Sequence, residues 1–135
     1  MKTIVVGYDE TEPAKRALER AAELAAAFGA KVIVTSVARM IVGKGVGPID
    51  PADTPELHRE ELRHAAAFLA ERGLEGEYEV ALGDPPNEIV ELAERRGADL
   101  IVVGTHEPNL LARLLGQSVS GAVQRKAHCD VLIVH

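Results

Sequence analysis

Four short runs of uninterrupted apolar residues constrain the fold of this chain more than any other feature. They occupy residues 4–6, 32–34, 100–103 and 131–134. Strands that are apolar on consecutive residues are typical of parallel sheets, because helices cover both faces of such a sheet. A fifth candidate strand, residues 77–82, alternates apolar and other residues. One of its faces should therefore be exposed to water, and we place it at an edge of the sheet.

Apolar residues spaced by three and four positions predict a helix after each of the first four strands. Thr11 is the expected N-cap of the first helix and Gly29 its end, while Gly97 ends the third. The last and shortest helix is expected over residues 118–126. Strands that alternate with helices imply right-handed crossovers. We therefore predict an α/β fold: a five-stranded parallel sheet, doubly wound, with helices on both faces and the third and fifth strands at its edges.

The composition argues against several classes of protein. A chain of 135 residues with 47% hydrophobic and 27% charged residues is expected to fold as one globular domain, residues 1–135. Its net charge of -6, without a basic run, argues against a nucleic-acid partner. The first apolar run ends at Gly7, so we interpret it as neither a signal peptide nor a membrane span, and we expect no membrane partner. With Cys129 as its single cysteine, the chain fits a cytoplasmic protein.

The histidines do not suggest a metal site. They stand at positions 58, 64, 106, 128 and 135, and no two of them form a helical i,i+4 pair. We expect most of them on the surface. His106 is the exception, because it follows the fourth strand, and ligands of such sheets bind beyond the strand ends.

The last strand indicates a second copy of the chain as a partner. Val131, Leu132, Ile133 and Val134 are all apolar, and we place them at a sheet edge. An uncovered apolar edge strand favours pairing with another strand. We therefore predict a homodimer formed through this strand.

Polar and small residues follow the predicted strands at their carboxyl ends, where open parallel sheets bind ligands. Tyr8 and Asp9 follow the first strand, Val37 ends the second and Gly104 ends the fourth. Asp9 is either an acceptor for a ligand's amino or hydroxyl group or a turn residue. Gly104 provides either close approach of a ligand or a turn, because both use the same permissive backbone.

Two serines mark the start of the last helix. Ser118 and Ser120 lie where free N–H groups and the positive end of the helix dipole favour a phosphate. The alternative for Ser118 is an ordinary N-cap.

Two other chemistries fit less well. The chain has no Gly-x-Ser-x-Gly elbow, and Cys129 precedes the last strand, so a covalent hydrolase has little support. A phospho-acceptor domain would use an acidic pair such as Asp9 and Glu10 together with Asp84. It would also need a lysine at the end of the fifth strand, where this chain has only His135.

Several motifs, in order, resemble the universal stress protein family over essentially the whole chain. They are Val6-Gly-Tyr-Asp9, Gly83-Asp-Pro85, Gly97-Ala-Asp-Leu-Ile-Val-Val-Gly-Thr-His106, and Ser118-Val-Ser120 leading to Cys129-Asp-Val-Leu-Ile-Val134. The resemblance implies a dimeric regulatory protein of the stress response that binds ATP or AMP, with magnesium as an optional companion, and that is not an enzyme.

The resemblance also implies roles for individual residues. Asp9 and Val37 would lie around the adenine and ribose. The phosphates would lie along Val103 to His106 and along Gln117, Ser118, Val119 and Ser120. The family's phosphate motif is Gly, two residues, Gly, nine residues, Gly, then Ser or Thr. On this chain it falls at Gly104, Glu107, Gln117 and Ser118, so the spacing is intact and two of the three glycines are replaced.

These replacements have physical consequences. A Glu107 carboxylate within about 4 Å of a phosphate charge would cost on the order of 4 kcal/mol at an intermediate dielectric. Gln117 would either block the close approach that glycine permits or donate its amide to a phosphate oxygen. Arg113, in the same loop, is a candidate compensating cation.

Three functional hypotheses follow. The first is a nucleotide-binding regulatory protein, and the second is a dimeric interaction module of the branch that binds no nucleotide. Slow ATP hydrolysis is the third and has the least support, because no clear general base is present beyond His106 or Glu107. Residues 38–54, with three glycines and two prolines, are expected to form either a lid over a ligand or a disordered loop.

Overall fold

A computed structural model of the chain describes residues 1–39, 53–105 and 119–135. In chain order the elements are β1 (Thr3–Gly7), α1 (Glu12–Phe28), β2 (Lys31–Arg39), α2 (Pro55–Glu71), β3 (Gly76–Gly83), α3 (Pro85–Arg96), β4 (Leu100–Gly104), α4 (Val119–Lys126) and β5 (Asp130–Val134). Each predicted strand and helix is present in these ranges. Within them, no helix has the length and apolar character needed to cross a membrane.

The five strands form one parallel sheet in the order β3-β2-β1-β4-β5. This confirms the predicted doubly wound parallel sheet, with the third and fifth strands at its edges. The chain leaves β1 toward β2 on one side and returns beside β1 as β4 on the other. The crevice beyond β1 is therefore the point where the strand order reverses, which is where ligands bind in open parallel sheets.

Two apolar cores explain why the central strands are apolar on consecutive residues. Ile4 and Val6 pack with α1 and α2 on one face of the sheet, in the first core. Val5, between them, packs with α3 and α4 on the other face. Because successive strand side chains point to opposite faces, a strand between two helical layers needs an apolar residue at every position.

The helix ends follow the predicted signals. The Thr11 side chain accepts a hydrogen bond from the Ala14 N–H at 3.3 Å, as an N-cap does. Gly29 ends α1 with a φ of 70°, a left-handed conformation that glycine adopts without steric cost. Thr54 caps α2 in the same way by accepting from the Leu57 N–H. The structure describes α4 from Val119 onward, so the predicted start at Ser118 lies outside the described residues.

The two sheet edges differ in chemistry. On β3, Glu77 pairs with Lys31 and Arg96, and Glu79 pairs with Arg95 and Arg96. On β5 the corresponding side chains are apolar and half-buried between the two cores. Charged side chains along an edge strand oppose pairing with another strand. The β3 edge is therefore protected against such pairing.

Candidate functional site

A cavity of about 280 Å³ opens at the carboxyl ends of β1, β2 and β4, at the predicted position. The end of each strand, the turn before α2, one face of α2 and the start of α4 contribute to its wall. The residues that line the cavity include Tyr8, Asp9, Val37, Arg39, Asp53, His58, Glu61, Val103, Gly104 and Val119.

The cavity brings together six of the ten predicted site residues: Tyr8, Asp9, Val37, Val103, Gly104 and Val119. Ser120 lies next to Val119 in the first turn of α4 and is buried rather than part of the cavity wall. His106, Gln117 and Ser118 lie outside the described residues, as do Glu107 and Arg113. Most of the predicted lid, residues 38–54, also lies outside them.

Asp9 has a turn role in addition to its place on the cavity wall. Its Oδ1 accepts hydrogen bonds from the Thr11 N–H at 3.2 Å and from the Thr11 hydroxyl at 2.7 Å. This local arrangement is the one that short acidic residues form at turns. The two sequence interpretations of Asp9 are therefore compatible, because the residue that shapes the turn also lines the cavity.

Gly104 is required by the packing of α1. A Cβ atom at this position would lie 2.4 Å from the Pro13 carbonyl carbon and 2.7 Å from the Ala14 nitrogen. These are backbone atoms, so no side-chain movement could relieve the overlap. The glycine lets the end of β4 contact the first turn of α1, and this narrow contact forms one wall of the cavity.

A buried histidine organises the opposite end of the cavity. His58 hydrogen-bonds through Nδ1 to the Ser36 hydroxyl and through Nε2 to Asp53 Oδ1. Asp53 Oδ2 accepts from the Arg39 N–H at 2.8 Å. A carboxylate only accepts, so His58 donates from Nε2 to Asp53, while Nδ1 and the Ser36 hydroxyl share the second hydrogen bond. The cluster fastens the end of β2 to the start of α2.

Burial opposes ionisation of Asp53, but the hydrogen bonds from the Arg39 N–H and from His58 outweigh it and lower the pKa of Asp53. Asp53 is therefore ionised at neutral pH.

Ser36, His58 and Asp53 are the residue types of a hydrolase triad, yet their placement indicates a structural role. Ser36 is 1% exposed, and the strand residues beside the cavity are its neighbours Thr35 and Val37. A nucleophilic serine must be reachable by its substrate. The triad types here hold α2 on β2.

Glu61 stands one helical turn after His58 and also lines the cavity. Its Oε1 is 3.6 Å from His58 Nδ1, and its Oε2 is buried without a hydrogen-bond partner among the described residues. Burial is the largest influence on its pKa; nearby His58 lowers the pKa, and the carboxylates of Glu10, Asp9 and Asp53 raise it. The net result is a pKa raised to about 7.

The same charges act on Tyr8. Burial, together with Glu10, Glu61 and Asp9, raises the pKa of the Tyr8 phenol to about 12. Tyr8 is 6% exposed, so its ring is both a wall of the cavity and part of the first core. It stays un-ionised and can donate or accept a hydrogen bond at any physiological pH.

Sequence reasoning missed His58, Glu61, Asp53 and Arg39 as members of the site. Most histidines were expected on the surface, which holds for His64, with 58% of its side chain exposed, and for His128, with 82%. His58 was a detectable exception: with Leu62, Ala65 and Leu69 it follows helical spacing on the buried face of α2.

A doubly wound parallel sheet with a cavity at its strand-order reversal defines a class of α/β proteins that bind their ligands at this point. Within that class, the chain belongs to the universal stress protein family, whose family model matches residues 1–135. A universal stress protein of Methanocaldococcus jannaschii is 33% identical over 98% of this chain and 81% of its own length. One of Mycobacterium tuberculosis is 36% identical over 99% and 96%.

Two solved structures of similar proteins contain adenine nucleotides. A universal stress protein in complex with cAMP has 30% identity and a TM-score of 0.75, over 99% of this chain and 97% of its own. The Archaeoglobus fulgidus universal stress protein in complex with dAMP has 28% identity and a TM-score of 0.77, over 100% and 98%.

Proposed function

We propose that this protein is a regulatory stress protein that binds an adenine nucleotide, ATP or AMP, in the cavity beyond β1, β2 and β4. The observation that carries the proposal is the cavity itself, which lies at the strand-order reversal and joins Asp9, Val37 and Gly104. The similar proteins that contain cAMP and dAMP support the same ligand class.

The two ends of the cavity suit the two ends of a nucleotide. The Asp9 carboxylate and the Val37 backbone would contact the adenine and ribose. Gly104 and the first turn of α4, with Val119 and Ser120, would lie along the phosphates, because the positive end of the helix dipole favours an anion there. The proposal also includes the predicted phosphate contacts of His106, Gln117 and Ser118. These three residues lie outside the described ranges.

Calorimetry with ATP and with AMP tests the site, together with mass spectrometry of any nucleotide released when the purified protein is denatured. We expect binding by the wild type and at least tenfold weaker binding by Asp9→Asn, which retains an acceptor for the Thr11 turn. Glu12→Gln removes a charge from an exposed position in the first turn of α1 and serves as the control. No released nucleotide and no heat at millimolar ATP or AMP would overturn the proposal.

A second function is favoured by one observation, the replacement of two motif glycines by Glu107 and Gln117. In this alternative the protein is a dimeric interaction module that binds no nucleotide. A double variant, Glu107→Gly with Gln117→Gly, separates the two functions. Binding that appears only in the double variant supports the interaction module, whereas equal binding by the wild type supports the nucleotide site.

We assign binding rather than turnover, in a cytoplasmic protein. Incubation with ATP and magnesium should release no more phosphate from the wild type than from Asp9→Asn. Phosphate release that depends on Asp9 would instead support slow hydrolysis.

We also propose a homodimer through β5. The strand lies at a sheet edge, and Val131, Leu132 and Ile133 are only half-buried there. Sedimentation equilibrium should give twice the 14.4 kDa of one chain, and Ile133→Asp should shift the equilibrium to the monomer. A monomeric wild type at all concentrations would contradict this proposal.

A further inference from the structure

Glu61 is a polar residue of the cavity wall, and its hydrogen bonding is incomplete. His58 hydrogen-bonds to Ser36 and Asp53, and Glu10 contacts His64, but Glu61 Oε2 has no hydrogen-bond partner in the described parts of the chain. Buried polar atoms in native proteins nearly always have a partner. Glu61 itself lines the cavity, so a rotation of its carboxyl group toward the cavity would let a ligand there supply the missing partner.

Charges from every neighbouring described element act on this carboxyl. Asp9 and Glu10, in the turn after β1, and Asp53, before α2, oppose its ionisation, while His58 favours it. Tyr8, at the end of β1, and Arg39, at the end of β2, share the cavity wall. The carboxyl is un-ionised in weak acid and ionised in weak base, with the change near neutral pH.

An un-ionised carboxyl presents an O–H donor beside a carbonyl acceptor. Adenine presents the complement on both of its hydrogen-bonding edges, because its 6-amino donor lies between the ring acceptors N1 and N7. An ionised carboxylate has two acceptors, and one of them would face a ring nitrogen lone pair. Glu61 lies on α2 at the cavity wall, and the charge of Asp9, the carboxylate proposed to contact the adenine and ribose, acts on it.

Resting on the proposed nucleotide site, we propose that Glu61 in its un-ionised form hydrogen-bonds the adenine base, so that binding of the nucleotide is coupled to uptake of a proton by this residue. Glu61 is then a specificity-determining contact that also makes affinity depend on pH. The described residues Asp9, Glu10 and Asp53 set the pH at which the change occurs.

The affinity for AMP at pH 6 and pH 8.5, compared between the wild type and Glu61→Gln, tests the proposal. Glutamine offers a donor and an acceptor at every pH, and the titration of the AMP phosphate affects both proteins equally. With a pKa of about 7, the un-ionised fraction of Glu61 falls about 30-fold between these pH values. We expect the dissociation constant of the wild type, divided by that of Glu61→Gln, to be near one at pH 6. At pH 8.5 this ratio should rise by up to about 30-fold.

Three controls make the result specific. Glu61→Leu should bind weakly at both pH values, because it offers no hydrogen bond. Glu60→Gln removes the neighbouring, exposed charge of α2 and should behave as the wild type does. Calorimetry at pH 7.5 in buffers of different ionisation enthalpy should show more proton uptake on binding by the wild type than by Glu61→Gln.

The outcomes separate this inference from the site on which it rests. If neither the wild type nor Glu61→Gln binds AMP at pH 6, the nucleotide site fails and the inference fails with it. If both bind with the same pH profile and the same proton uptake, the nucleotide site stands and the role of Glu61 is overturned.

Discussion

The two ends of the cavity are built on opposite principles. At the β4 end, Gly104 has no side chain, and its backbone therefore contacts the first turn of α1 directly and forms the wall. At the α2 end, polar side chains form the wall: His58 is buried, and Asp53 and Glu61 are partly buried. Stability should therefore depend on added side-chain volume at the β4 end. At the α2 end it should depend on hydrogen bonds and on pH. The two ends of one cavity can thus be perturbed separately.

The largest effect should come from adding a single carbon atom at the β4 end. Gly104→Ala places a Cβ 2.4 Å from the Pro13 backbone, and overlap that only backbone movement can relieve should destabilise the fold by about 3 kcal/mol. Urea unfolding measures it. Gly29→Ala is the control, because no atom lies within 4 Å of its Cβ position and left-handed strain alone costs about 1 kcal/mol. Equal losses in both variants would contradict a packing role for Gly104.

At the α2 end, removal of His58 should have the next largest effect. His58→Ala leaves the Ser36 hydroxyl and the Asp53 carboxylate without their buried partner, and we expect a loss of about 2 kcal/mol in urea unfolding. His64→Ala lies on the same helix with 58% of its side chain exposed, so it should change stability by less than about 0.5 kcal/mol. Similar losses of stability in the two variants would contradict the role of His58 in holding α2 on β2.

Replacing Glu61 should sharpen the contrast in pH dependence. Its pKa is raised from 4.5 to about 7 on folding, so between these values the folded state binds more protons than the unfolded state, and stability falls as pH rises. Glu61→Gln should remove this fall and, with solvent screening allowed for, be more stable than the wild type by about 1 kcal/mol at pH 8. Urea titrations from pH 5 to 8 measure the difference, with Glu60→Gln as control. A difference that does not vary with pH would contradict the assignment.

The smallest effect should come from Glu10, a non-glycine residue with a φ of 61° in the turn after β1. Glu10→Gln keeps that backbone and removes one of the carboxylates that raise the pKa of Glu61. Stability should change by no more than about 0.5 kcal/mol, while the Glu61 titration, followed by carbon NMR of its carboxyl, should move to lower pH. Glu75→Gln, in the turn before β3, is the control. An unmoved titration would show that Glu10 does not act on Glu61.

The parts of this structure that sequence predicts are those that local rules determine. Strand runs, the Thr11 cap and the Gly29 end depend on neighbours a few positions away, and the predicted strand ends placed Asp9 and Val37 beyond the carboxyl ends of the strands, where both line the cavity. The role of Gly104 could not be predicted, because its contact, Pro13, is about ninety positions away in the chain. The His58 cluster likewise needs Ser36 from β2 and Asp53 from a turn, and only the position of His58 on the apolar face of α2 was readable beforehand.

The charged side chains along β3 have a consequence for assembly size. A sheet with two open edges can add copies at both and grow into a fibre. Here Glu77 and Glu79, with their arginine and lysine partners, guard one edge. Growth by strand pairing would have to use β5 on every copy, and two copies that use the same edge satisfy each other. Such an assembly would stop at two copies, because the charges that oppose further pairing lie at the opposite edge of the sheet from β5.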